Sequence, residues 1–168
     1  MTRAVTRLQT IAGQSLALVL IIGALYAIVM AVTLVLGAET SGTWHLGSAI
    51  LAVLIASLAA GTYVGVVQIG GALTRSPLGA MAFGLAFLLA DWFGILTPTL
   101  MIDNPGVLLD LGRYAVFANM FAISSRGEII GVGIEWQSHG APAAVLLLAG
   151  YALGSHALAV LIARWRDA

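Results

Sequence analysis

Hydrophobic positions in this chain come in long runs separated by short polar breaks, and the runs predict helices long enough to cross a bilayer. Four such runs stand out, over residues 14–37, 46–73, 77–97 and 141–163. At the helical rise per residue the first reaches about 36 Å, against a hydrocarbon core of about 30 Å. The second and third meet at Thr74-Arg75-Ser76-Pro77. Arg75 is the only charge between Glu39 and Asp91, so this break is where the chain must touch water. Pro77 suits a first helical turn, where its missing N–H has no partner to lose. Pro98 is expected to end or kink the third run. The polar stretch 38–45 closes the first run and holds Trp44 as a headgroup-level anchor.

Two segments break the pattern. Residues 1–13 carry Arg3, Arg7 and Gln9 and read as an interfacial amphipathic lead-in. The run that follows is longer than the apolar core of a signal peptide and has no small-x-small site after it, so a retained span is expected. Residues 100–140 form the second segment. Asp103-Asn104-Pro105 is a helix-start signal, and the stretch 106–123 after it is largely apolar and carries two charges, Asp110 and Arg113. These two lie three apart on one helix side, close enough to pair. Ile130, Val132, Ile134 and Trp136 then alternate, which suggests a short extended stretch.

Charge placement chooses the topology. With four spans, Arg3, Arg7, Arg75, Arg164 and Arg166 share one face, and only Arg113 and Arg126 lie on the other. By the positive-inside rule both termini are then cytoplasmic. A fifth span over 106–123 would spoil that division. The expected fold is therefore an all-α integral membrane protein, one domain over 1–168, with four transmembrane helices. The outer face carries an amphipathic segment that is either re-entrant or lies at the interface. The expected setting is a bacterial inner membrane, with both termini cytoplasmic.

Composition narrows the function. Only 8% of residues are charged, against roughly 25% in soluble domains. The formal net charge is zero, which leaves no basic face for a nucleic acid. The chain has no lysine, hence no GxxxxGK phosphate loop, and no cysteine, hence no thiolate nucleophile or thiolate metal site. HExxH and GxSxG are absent as well, so no enzyme activity, no catalytic residue and no metal site are predicted.

A few positions remain as candidates. Gly61/Gly65 and Gly150/Gly154 are spaced four apart on the second and last spans. They predict flat helix faces for close packing, within the chain or between subunits. Asp91 is an intramembrane carboxylate, expected about 21 Å from Pro77 and thus toward the outer face. No other span supplies an obvious ionisable partner at that depth, so local hydrogen bonding is the expected fate of its charge. His156 lies deep in the last span. It is expected to hydrogen-bond to a neighbouring helix, with ligation of a chlorophyll-type pigment as the alternative. Otherwise lipid is expected around the chain and no cofactor is predicted.

Three places carry a family resemblance. YVGVVQIGGALTRSPLGAMAFGLAF resembles the hairpin of type-2 ABC exporter membrane subunits, a small-residue helix followed by T-R-S-P/A and a Gly/Ala-rich helix. A sizeable apolar segment precedes the last span, as in that family. The end, YALGSHALAVLIARWRDA, is similar to the family's final helix and Arg-x-Arg-Asp tail. The resemblance implies a permease-like subunit that works with a separate nucleotide-binding ATPase, in pairs or with other membrane subunits. It covers the family's last four spans and lacks the preceding cytoplasmic coupling helix. The alternative expectation is thus a non-catalytic accessory subunit of a respiratory or photosynthetic membrane complex.

Overall fold

A computed structural model describes residues 7–41, 46–101, 112–120, 126–129, 134–137 and 140–167. Four long helices are present: α1 (Arg7–Ser41), α2 (Leu46–Thr74), α3 (Pro77–Met101) and α5 (Ala141–Asp167). Between α3 and α5 lie the short helix α4 (Val116–Met120) and the strands β1 (Arg126–Ile129) and β2 (Ile134–Gln137). Three described stretches are long and apolar enough to cross a membrane: Gly13–Val32, Leu46–Thr74 and Ala141–Arg166. The protein is a helical integral membrane protein.

α2 is the axis of the bundle. It packs against α1, α3, α4 and α5, and 44% of its apolar window is buried, against 6% for α1 and 17% for α5. The difference follows from position: a central helix meets protein on several sides, whereas an outer one turns most of its surface to lipid. Leu16, Leu20, Ile21, Leu25 and Ile28 of α1 are accordingly exposed. A face this apolar is stable in hydrocarbon, where it loses nothing by exposure.

α1 and α3 both run antiparallel to α2. Ser15 meets Gln68 across the first pair (2.5 Å), while the Cβ of Ala80 and the side chain of Phe83 face Gly71 and Gly70 across the second. α5 runs parallel to α2, with Ala152 beside Gly61 and Arg166 beside Ala72. The buried cluster of Ile55, Ala59, Val116 and Leu148 joins α2, α4 and α5 near the end of the bundle remote from Arg75.

The turn between α2 and α3 shows how T-R-S-P works locally. Arg75 takes a left-handed conformation (φ 56°) and its N–H bonds to the Gly71 carbonyl at 2.9 Å, the single-bond form of a left-handed helix cap. Such a conformation costs a residue with a Cβ roughly 1–2 kcal/mol. Ser76 then caps α3, its Oγ accepting from Gly79 N at 3.4 Å, with Pro77 as the first helical residue. Arg75 donates to the Arg166 carbonyl at 3.1 Å, and Arg166 Nη1 donates to the Ala72 carbonyl at 2.9 Å and to that of Leu73. Two arginines thus bind the C-terminal ends of α2 and α5 together, satisfying carbonyls that a helix end leaves open.

Several boundaries differ from expectation. α1 begins at Arg7, so the part of the lead-in that is described is continuous with the first span. It also extends to Ser41, through much of the stretch read as a polar loop. α3 runs past Pro98 to Met101. A proline removes one backbone hydrogen bond, and here the helix continues beyond it. Where a single extended stretch is expected over 128–136, two strands are described at its ends: β1 and β2 pair antiparallel, with Arg126 opposite Gln137 and Ile129 opposite Ile134. Among the described residues the fold is therefore helical with one small antiparallel strand pair. Trp44, His45, Asp103-Asn104-Pro105, Asp110, Ile130, Val132 and His139 lie outside the described residues.

Candidate functional site

The polar centre of the bundle forms around Asp91. Its Oδ2 accepts from the Tyr63 hydroxyl (2.7 Å) and from Phe117 N (2.9 Å), and its Oδ1 accepts from Val116 N (2.8 Å). Val116 and Phe117 open α4, where backbone N–H groups have no partner within their own helix. A carboxylate from α3 thus caps a helix far along the chain. It exchanges its water for three donors fixed by two other segments, α2 and α4, which makes a charge tolerable at this depth.

Neighbouring contacts hold the centre in place. Tyr63 and Phe87 meet edge to face, with centroids 5.8 Å apart at 68°. Trp92 and Phe117 do the same at 5.1 Å and 66°. Asn119 is fully buried, and its Nδ2 donates to the carbonyls of Arg113 (2.6 Å) and Ala115 (2.9 Å), folding the approach to α4 onto itself. Its Oδ1 has no hydrogen-bond partner among the described residues. Tyr151 of α5 donates to the Tyr114 carbonyl at 3.1 Å. Around this framework lies a partly open cavity of about 290 Å³, lined by Thr62, Phe87, Asp91, Tyr114, Tyr151 and Ser155, with Val66 and Val116. A second, larger space of about 840 Å³ opens between α1 and α2. It is walled by apolar side chains such as Ile22, Val64 and Met120, with Gln14 and Gln68 also in its lining.

Asp91 lacked an evident partner in the sequence, and the structure supplies one in Tyr63, 28 residues away. The two sit within about one helical turn of the same distance from the Thr74–Pro77 turn, so the hairpin brings them near one another without marking either as the other's partner. Tyr151 had no comparable signal, since its partner comes from long-range packing, while Asn119 bonds locally to carbonyls four and six residues before it.

The glycine pairs divide. On α2, Gly61 faces Ala152, 3.4 Å from where a Cβ would stand, and a Cβ on Gly65 would run into the Ser155 side chain, with His156 Nδ1 at 2.9 Å. On α5, a Cβ on Gly150 or Gly154 would meet nothing within 4 Å. The α2 glycines therefore receive serine and alanine side chains from α5 rather than its glycines, which face away. His156 bonds through Nδ1 to the Ala152 carbonyl of its own helix (2.7 Å), not to a neighbouring helix. Because a carbonyl only accepts, Nδ1 carries the proton in this bond. Arg113 is half-buried, and Asp110, the partner expected for it, lies outside the described residues. Among the described residues no three His, Asp or Glu side chains gather as a metal-ligand set.

No family model matches the chain, and no match is found among curated proteins or solved structures.

Proposed function

We propose that the chain is a permease-like membrane subunit of an ABC-type exporter, acting with a separate ATPase that rocks paired permease chains. The observation that carries this reading is the clasp at the turn. The T-R-S-P hairpin and the Arg-x-Arg-Asp tail bear the resemblance to type-2 exporter subunits, and they are hydrogen-bonded to each other through Arg75 and Arg166. A clasp of that kind turns the ends of α2 and α5 into one stiff lever, which suits a part that must move as a body. In this reading α3, about 37 Å long by its 25 residues, also crosses the membrane, as the third of four spans. Residues 100–140 form an outer segment, re-entrant or interfacial, that docks through Asp91. Both termini and Arg75 face the cytoplasm of a bacterial inner membrane.

A second reading is an accessory subunit of a larger respiratory or photosynthetic complex. The open faces at Gly150 and Gly154 favour it, because a small-residue stripe pointing outward suits another subunit's helix. Mild solubilisation of the tagged protein from its native membrane separates the two. Recovery of a nucleotide-binding chain supports the exporter. Recovery of redox or light-harvesting chains without one rejects it in favour of the accessory role.

A further inference from the structure

The cavity beside Asp91 has a composition that selects for one kind of ligand. Among the described residues of its lining Asp91 is the only charged side chain, and its three described hydrogen-bond donors are neutral: a phenol and two backbone amides. These orient the carboxylate without cancelling its charge. Oδ1 accepts one hydrogen bond where Oδ2 accepts two, so a lone-pair position of Oδ1 remains available. Three aromatic residues, Phe87, Tyr114 and Tyr151, contribute the rest of the recognition surface. Phe87 is braced against Tyr63 and Tyr151 is tethered to the Tyr114 backbone, so two of the rings are held before any ligand arrives.

We infer that this cavity binds a small organic cation, a methylated or alkyl ammonium group, between the Asp91 carboxylate and the aromatic walls of Phe87, Tyr114 and Tyr151. Ring faces attract a positive charge through their quadrupole, and the attraction grows when the cation leaves water. A bare divalent ion does not suit the site, since it requires several oxygen ligands. The described lining offers one carboxylate, whose oxygens already hold three donors, and otherwise only neutral hydroxyls. The space is sufficient: about 290 Å³ is roughly twice an engineered cavity of about 150 Å³ that accommodates benzene. Binding here is independent of the exporter reading. Under that reading the cation is cargo or effector, and under the accessory reading it is a bound ligand.

The test compares two probes of nearly the same shape on the whole purified protein in nanodiscs. Choline carries the cationic trimethylammonium group, and 3,3-dimethylbutan-1-ol replaces it with a neutral tert-butyl group. Titration at constant ionic strength, followed by intrinsic fluorescence, should give saturable choline binding at least about tenfold tighter than that of the alcohol. Asp91→Asn should weaken choline about tenfold or more and so close most of the gap between the two probes, and Tyr151→Leu should weaken choline several-fold. Equal binding of the two probes, or no saturable choline binding by the unsubstituted protein, overturns the inference. That comparison needs no variant, so it decides the matter even if Asp91→Asn fails to fold.

Discussion

The Tyr63 hydroxyl lies 2.7 Å from Oδ2 of Asp91 and donates to it across the α2–α3 hairpin. The same carboxylate caps α4 through Val116 and Phe117. One side chain therefore holds three segments together, and its removal should cost more than the loss of any single donor. Tyr63→Phe removes one hydrogen bond to a charged acceptor and should destabilise by about 1–2 kcal/mol. Asp91→Ala also strands two amides, at about 1–3 kcal/mol each, and should be the more damaging. Thermal or denaturant unfolding in detergent gives the order. If Tyr63→Phe matches or exceeds Asp91→Ala, the carboxylate is not the hub.

At the opposite end, Arg166→Ala leaves the Ala72 and Leu73 carbonyls without their guanidinium partner. We expect a loss of about 1–2 kcal/mol, with Arg75→Ala less than additive to it because the two arginines share one clasp. A double-mutant cycle with zero coupling is the result that counts against the clasp.

Substituting the glycines should divide them by position. Gly65→Val forces a Cβ into Ser155 and should cost roughly 1–3 kcal/mol, as overpacking does. Gly150→Val and Gly154→Val meet open space within the chain and should leave its own stability nearly unchanged, apart from a small helix-propensity effect. Their effect belongs in complex recovery instead. Equal destabilisation by all three would place the α5 glycines inside the fold after all.

Orientation can be read by labelling, because the native chain has no cysteine. In intact cells a membrane-impermeant maleimide should label Ala143→Cys and leave Arg164→Cys unmodified until the membrane is opened. The reverse pattern would invert the topology.

The sequence by itself determined that this is a membrane protein and where most of its long helices lie. Bilayer thickness dictates the length of an apolar run, and a lone Arg75 beside Pro77 must break one; both are local facts. Residue order also contained the hairpin, which sets Tyr63 and Asp91 within about one helical turn of the same depth. Only tertiary structure decided which helix is central, because all the spans are similarly apolar and burial depends on what surrounds each one. It alone decided that Gly61 and Gly65 face α5 while Gly150 and Gly154 turn away, since glycine spacing marks a face without giving its direction. It alone brought the N–H groups of Val116 and Phe117 to Asp91, for a carboxylate in a span announces a need for donors and says nothing of which segment will supply them.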